Sequence, residues 1–339
     1  MATTFKQFLN DDVVSTKSLL HEYIPITGSI VTGTYTDLNI KNYSHGMFQS
    51  VYDYPYLSSS ANHIFDITVG LSPALSSSAN TLNAKKIQLY NQMAQVLAGN
   101  DVTGGILRFD QDGDIVGGGT KHDSVFFLNF SRLLTKDEIK KGTFSLSLGT
   151  GSSFGGSPNT GSLKTISDYG AATEYRVNSP AGEYGILYTG SAAIEGTGVG
   201  LLYYQAGIAV ITSSVFTSAV IVNGQPNVAA AFTGSTIQAV ADGIRRRWNS
   251  CQFNNTTELN STIYFCRANH NEFNYSSNPT YLSSSQIRLK DNENDQPAAY
   301  ITTIGMYSSD NELLATAKLS EPLKKTPENE MILRVRLDF

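Results

Sequence analysis

Three acidic residues at alternating positions form the pattern in this sequence that is closest to a metal-binding motif. Asp110, Asp112 and Asp114 are spaced as the carboxylates are at the start of a calcium loop. The EF-hand loop also needs glycine at its sixth position and an acid at its twelfth, where this chain has Ile115 and Lys121. A turn between two strands is therefore the leading interpretation, and a loop-type calcium site is the alternative. We predict no resident metal or cofactor.

The motifs of nucleotide-binding and hydrolytic enzymes fail on spacing. The chain has no Gly-Lys dipeptide, which excludes a P-loop, and Gly196–Gly200 has the wrong spacing for a dinucleotide loop. Gly151–Gly155 matches the esterase motif around Ser153, but that motif requires a helix directly after the serine. Gly156 and Pro158 follow instead. We predict that the protein is not an enzyme and has no small-molecule substrate.

The cysteines and histidines do not form a recognisable metal or disulfide pattern. Cys266 and His270 lack a second pair with zinc spacing, and the other histidines are scattered. Cys251 and Cys266 could face each other across a hairpin, but buried reduced thiols are the leading interpretation for a cytosolic chain.

A triplet of arginines, Arg245, Arg246 and Arg247, falls in the last turn of a predicted helix. Cations there complement the negative end of the helix dipole, which is the leading interpretation. An interface with an acidic partner subunit is the alternative, since arginine is enriched at interfaces. Nucleic acid comes third.

The composition indicates a folded protein with few charges. Charged residues make up 16% of the chain, against about 25% in typical proteins, and the net charge is −5. The negative charge argues against nucleic acid, and the absence of a long apolar run predicts no membrane span. Met1–Asp11 lacks the pattern of a signal peptide, so we expect synthesis in the cytosol. Neutral polar residues and tyrosines suit permanent protein contacts; an uncharged surface with no special partner is the alternative.

Hydrophobic periodicity predicts few helices. In the clearest one Ile87, Tyr90, Ala94 and Leu97 share a face. Asn83 can cap its start and Gly99 can end it. The predicted helices are Phe5–Tyr23, Asn83–Ala98, Ser235–Asn249, and a short one that starts at the capping box Thr135–Glu138 and ends at Gly142.

Period-two alternation, together with apolar runs rich in β-branched and aromatic residues, predicts strands in most of the remaining chain. We expect a mainly β fold of antiparallel, sandwich-like sheets with a few short helices and a C-terminal antiparallel meander. The patterning divides the chain into an N-terminal β-rich region with one helix at 1–122 and the main β-rich region at 123–339; a single domain is the alternative. The predicted strands are Ile30–Tyr35, His63–Val69, Val125–Phe130, Phe144–Leu148, Gly185–Tyr188, Leu201–Tyr204, Gly207–Ile211, Tyr300–Tyr307, Leu313–Leu319 and Met331–Phe339.

The last predicted strand is the most regular. Its apolar residues alternate with charged ones and share one face, whereas Arg334, Arg336 and Asp338 share the other. We therefore expect the C-terminus to be held in a sheet or against a neighbouring protein. The apolar set is Met331, Leu333, Val335, Leu337 and Phe339.

Three passages of the sequence resemble virion structural proteins of large contractile-tailed bacteriophages, particularly those of marine and cyanobacterial hosts. They are Phe126–Arg132 with Lys136–Phe144, Asn271–Thr280, and Tyr300–Phe339. Within the third, Ile301–Tyr307 followed by Glu312–Ala315 also resembles the ends of phage baseplate and tail-fibre attachment proteins. These motifs are structural, and no active-site residue carries over from them.

The resemblance implies a tail or baseplate subunit that is assembled in the host cytoplasm and resides in the virion. Its partners would be other virion proteins and copies of itself. A neck, collar or capsid-surface protein is the alternative, and a virion-borne carbohydrate-binding or depolymerising protein is an alternative of another class. The candidate assembly contacts are Arg245, Arg246, Arg247, Tyr275, Arg334, Arg336 and Phe339.

Overall fold

The computed structural model describes most of the chain. The described residues are 5–27, 40–53, 62–75, 81–115, 118–134, 138–151, 162–190, 192–217, 219–276, 282–283, 286–287, 294 and 296–339. Several predicted features lie outside them: the strand Ile30–Tyr35, the first residues of the capping box (Thr135–Asp137), Ser153, and part of the passage Asn271–Thr280.

The protein is mainly β, as predicted. The strands are β1 (Val13–Thr27), β2 (Ile40–Asn42), β3 (Gln49–Tyr52), β4 (His63–Leu71), β5 (Ser124–Asn129), β6 (Glu138–Ile139), β7 (Ser145–Gly149), β8 (Leu163–Ser167), β9 (Arg176–Ser179), β10 (Gly182–Thr189), β11 (Gly200–Tyr203), β12 (Ile208–Thr212), β13 (Trp248–Ala268), β14 (Leu282–Ser283), β15 (Gln286–Ile287), β16 (Ala299–Tyr307), β17 (Leu313–Lys325) and β18 (Met331–Asp338). The α-helices are α1 (Thr81–Leu97), α2 (Val228–Gly234) and α3 (Ile237–Arg246), and 3₁₀ turns lie at Asn10–Asp12, Ser131–Leu133 and Ser213–Phe216.

The chain divides into two compact units. Residues 19–258 form the larger unit, and residues 1–18 with 259–339 form the smaller one. The boundaries fall within β1 and β13. Position 122, where the sequence suggested a division, lies inside the larger unit.

The larger unit contains a long sheet that is buried on both faces. Its strand order runs β13-β7-β8-β10-β11-β12-β5-β4-β3-β2, and neighbours such as β12 and β5 pair antiparallel. On β5, Phe126 and Leu128 join one buried cluster, and Val125 and Phe127 join a second cluster on the opposite face. Both faces of this sheet therefore contribute to the core of the larger unit.

Helices cover the two faces of the sheet. The side chains of α1 that were predicted to share a face, Tyr90 among them, are buried. The predicted end of α1 is also confirmed, because Gly99 adopts a φ of 89° and donates from N to the Ala94 carbonyl at 2.9 Å. The predicted cap was wrong: α1 begins at Thr81, and Asn83 lies inside it.

Helix α3 is shorter than the predicted Ser235–Asn249. Thr236 rather than Ser235 caps it, by accepting from the Ala239 N–H at 3.2 Å. The helix ends at Arg246, and Trp248 opens β13 instead of extending the helical face.

Two predicted helices are strands. Phe5–Tyr23 was predicted to be helical, but only Asn10–Asp12 forms a 3₁₀ turn before β1. In β1 the Glu22 N–H donates to Asn255 Oδ1 at 3.2 Å and Tyr23 Oη donates to Gln252 Oε1 at 2.8 Å, so pairing with β13 outweighs a weak helical pattern. The described end of the predicted helix at 135–142, Glu138–Ile139, likewise pairs with β13.

The smaller unit carries the C-terminal antiparallel strands. β16 pairs with β17, and β18 pairs with Ser261–Ala268 of β13. The predicted alternation of β18 is present, since Val335 is buried whereas Arg334 and Arg336 are exposed.

Candidate functional site

Two side chains of the arginine triplet form contacts inside the larger unit. Arg247 is 1% exposed and donates to three backbone carbonyls, those of Gly149 (3.0 Å), Gly151 (2.8 Å) and Val220 (3.1 Å). Arg245 is also buried, and its Nη2 lies 2.5 Å from Asp242 Oδ1. These contacts give two of the three arginines an internal role, and their side chains do not lie on the surface of the unit.

The other candidate contact residues lie in the smaller unit and are exposed. Tyr275 and Phe339 are 55% and 67% exposed. Arg336 donates to Asp338 Oδ1 at 2.7 Å and to Ser261 Oγ at 3.0 Å, so its guanidinium is held in place on the surface. Hydrogen bonds from Ser261 and Arg336 lower the pKa of Asp338.

The smaller unit also exposes many large apolar side chains, and we call them together the apolar surface. On β17 the apolar surface includes Leu313 and Leu314. Near the N-terminus it includes Phe5, which packs against Tyr307 of β16 with ring centroids 4.8 Å apart. The sequence pattern did not indicate that these N-terminal residues contribute to a surface, because it favours a helix at Phe5–Tyr23. The apolar surface comprises Phe5, Phe8, Leu9, Val13, Val14, Phe273, Tyr275, Tyr300, Tyr307, Leu313, Leu314, Leu323, Ile332 and Phe339.

Few apolar side chains of the smaller unit are buried. Among its described residues these are Ala268, Ala299, Met306 and Val335. The unit also contains a fully buried lysine, Lys325, whose Nζ donates to Asn274 Oδ1 at 2.9 Å and to the Thr326 carbonyl at 2.8 Å. A unit with so little buried apolar area has weak internal stabilisation.

The acidic loop in the larger unit brings three carboxylates together. One oxygen each from Asp110, Asp112 and Asp114 lie within 4.8 Å of one another. Asp110 is 1% exposed and forms an ion pair with Lys121 through Oδ2. Burial, helped by the neighbouring carboxyls of Asp112 and Asp114, raises the pKa of Asp110 to about 6. The Lys121 ammonium acts in the opposite direction and lowers it.

Backbone contacts fix the shape of this loop. Tyr184 Oη donates to the Gly113 carbonyl at 2.8 Å, and Asn178 Nδ2 donates to the Asp114 carbonyl at 2.7 Å. Ile115 adopts a φ of 55° at the position where a calcium loop has glycine. The missing glycine therefore does not prevent the turn, although a β-branched residue is strained in this conformation.

A second charged cluster in the larger unit is fully paired. Asp168 accepts from Gly142 N (2.7 Å), Phe144 N (3.0 Å) and Tyr204 Oη (3.0 Å). Burial raises its pKa to about 6, although these three donors favour the carboxylate. Lys141 lies beside it and pairs with Glu138 and Glu183. Because these contacts hold the turn before β7, the cluster has a structural role.

The remaining candidate residues are separated. Cys251 and Cys266 are free thiols on the same strand, β13, and Cys251 is buried whereas Cys266 is half-buried, so they do not face each other across a hairpin. Burial raises the pKa of the Cys251 thiol, which makes it unreactive. His122 is buried in the larger unit, and burial lowers its pKa to about 4. Trp248 is buried as well and cannot stack on a sugar at the surface.

Comparisons with known proteins give no counterpart, since no protein-family model matches the chain and no curated protein or solved structure is significantly similar to it. Among the helices that the structure describes, none has the length and apolar character needed to cross a bilayer.

Proposed function

We propose that this protein is a structural subunit of a tailed bacteriophage particle, of the tail or baseplate type, which acts by binding other subunits without turnover. The observation that carries the proposal is the apolar surface of the smaller unit. The resemblance of Asn271–Thr280 and Tyr300–Phe339 to phage virion proteins supplies the kind of assembly, and both passages belong to this same unit.

Burial of the exposed apolar side chains against a partner would lower the free energy. Burying a side chain such as Leu314 or Ile332 contributes about 1.5–3 kcal/mol, and both are exposed. A two-stranded sheet such as β16–β17 is marginal in water unless a further layer covers it. Exposed apolar side chains that lie together, as Phe5 and Tyr307 do, mark protein interaction sites. Partner subunits would supply the covering layer in the assembled particle.

The proposed partners are other virion proteins and further copies of this chain, which meet in the host cytoplasm. A neck, collar or capsid-surface position would use the same apolar surface. The carbohydrate-binding alternative loses its best stacking residue, because Trp248 packs inside the larger unit.

The experiment measures self-association of the full chain and its presence in particles. Light scattering should show concentration-dependent oligomers, and mass spectrometry should find the chain in purified virions from the host that carries its gene. Replacing both Leu313→Ser and Leu314→Ser should weaken self-association at least about tenfold, since each 1.4 kcal/mol changes the constant tenfold.

A matched control replaces two exposed apolar residues of the larger unit, Val177→Ser and Ile194→Ser, and should leave association unchanged. A well-behaved monomer that is absent from purified virions would overturn the proposal. Oligomers without any presence in virions would contradict the phage assignment.

A further inference from the structure

The acidic loop contains buried oxygens that no described protein group satisfies. Asp110 Oδ1 and Asp112 Oδ1 are both buried and have no hydrogen-bond partner, and Asp110 as a whole is 1% exposed. A buried polar atom without a partner destabilises the folded protein, and a charged one does so more strongly. Buried oxygens without a partner are tolerated when a bound group interacts with them and offsets this cost.

The unsatisfied oxygens point to a common place beside Gly119. A Cβ atom added to Gly119 would lie 3.4 Å from Asp110 Oδ1 and 4.0 Å from Asp112 Oδ1. Two oxygens on opposite sides of a calcium ion lie about 4.6–5.2 Å apart, from ligand distances of 2.3–2.6 Å. The separation within 4.8 Å of the three carboxylate oxygens fits one ion.

From this geometry we infer that Asp110, Asp112 and Asp114 bind one hard divalent cation of the calcium type. The donor set consists of carboxylate oxygens, which calcium prefers, and it contains neither the nitrogen nor the sulfur ligands of a zinc site. Water would complete the six to eight ligands that calcium takes. The cation site does not depend on the assembly role proposed above.

Lys121 sets the charge balance of the site. Its ammonium pairs with Oδ2 of Asp110, so Oδ1 of the same carboxylate is directed to the cation. Three carboxylates and one ammonium leave two negative charges, which one divalent cation neutralises. A site with so few protein ligands and an adjacent ammonium should bind weakly, with a Kd of about 10⁻⁴–10⁻³ M, as in extracellular calcium modules.

The test is isothermal titration of the chelator-treated full chain with CaCl₂. We expect saturable binding of one ion, and at least about tenfold weaker binding in Asp112→Asn and in Asp114→Asn, because even outer-shell changes cost 10–100-fold. The matched control Asp310→Asn removes an exposed carboxylate of the turn before β17 and should bind as the wild type does.

A second measurement separates a cation site from a structural cluster. Without calcium, Asp112→Asn should be at least as stable as the wild type to thermal unfolding, because it removes repulsion between carboxylates. Calcium should raise the unfolding temperature of the wild type and have little effect on this variant. The inference fails if the wild type shows no saturable heat with millimolar CaCl₂, which is the result expected if Asp110 and Asp112 share a proton. It also fails if Asp112→Asn binds calcium as well as the wild type does.

Discussion

Phe65 on β4 and Trp248 at the start of β13 stack face to face, with ring centroids 4.7 Å apart and an interplanar angle of 20°. Along the sheet these two strands are far apart, since β7, β8, β10, β11, β12 and β5 lie between them. The sheet must therefore curl until its distant strands pack on each other. The contact closes the core of the larger unit.

Removing this contact should destabilise the larger unit strongly. Trp248→Ala deletes a fully buried indole and leaves a cavity, so we expect a loss of about 3–5 kcal/mol in the free energy of unfolding. Denaturant titration followed by circular dichroism measures it. The control Leu163→Ala removes an exposed apolar side chain and should change stability by less than about 0.5 kcal/mol. A Trp248→Ala variant as stable as the control would mean that the curled sheet does not depend on this contact.

The sequence indicated the elements whose pattern is local. Period-two alternation located β4 and β7, and apolar runs rich in β-branched and aromatic residues located β5 and the strands from Gly182 to Thr212. The helix α1 was also found, because its apolar residues repeat with the helical period over about three turns.

Features that depend on distant partners could not be found in this way. The residues up to Tyr23 carry a weak helical pattern, whereas pairing of β1 with β13 favours the extended form. Trp248 fits the apolar face of α3 by spacing, yet its partner Phe65 lies far away in the sequence. The acidic residues were found, but the burial of Asp110 and its pairing with Lys121 depend on the fold around the loop.

The internal role of Arg247 gives a test of the arginine triplet. Arg247→Met keeps most of the volume but leaves the carbonyls of Gly149, Gly151 and Val220 without their donor. An unsatisfied buried acceptor costs about 1–3 kcal/mol, so we expect a loss of at least about 2 kcal/mol in the free energy of unfolding.

The comparison variant is Arg334→Met, which changes an exposed arginine of the smaller unit and should alter stability by less than about 0.5 kcal/mol. Light scattering should show unchanged self-association for Arg247→Met under folding conditions. Weakened association with normal stability would instead indicate that Arg247 contacts a partner.

Asp168 should make the stability of the protein depend on pH. Burial raises its pKa from 3.8 to about 6 in the folded state, so the folded protein holds this proton more tightly than the unfolded chain does. The stabilisation is fully present below pH 3.8 and is lost as the pH rises through about 6. The difference in pKa corresponds to about 3 kcal/mol, at 1.36 kcal/mol per pKa unit.

Asp168→Asn removes this titration while leaving a side chain that can still accept from Tyr204. The free energy of unfolding of the wild type minus that of the variant should therefore fall between pH 4 and pH 6 and stay constant above about pH 7. Denaturant titrations at a series of pH values measure this difference, and Asp310→Asn serves as the control that should follow the wild type throughout. The free energy of unfolding of the wild type minus that of Asp168→Asn could instead grow between pH 4 and pH 6. In that case the three hydrogen bonds to Asp168 outweigh burial, and the carboxylate is the favoured form.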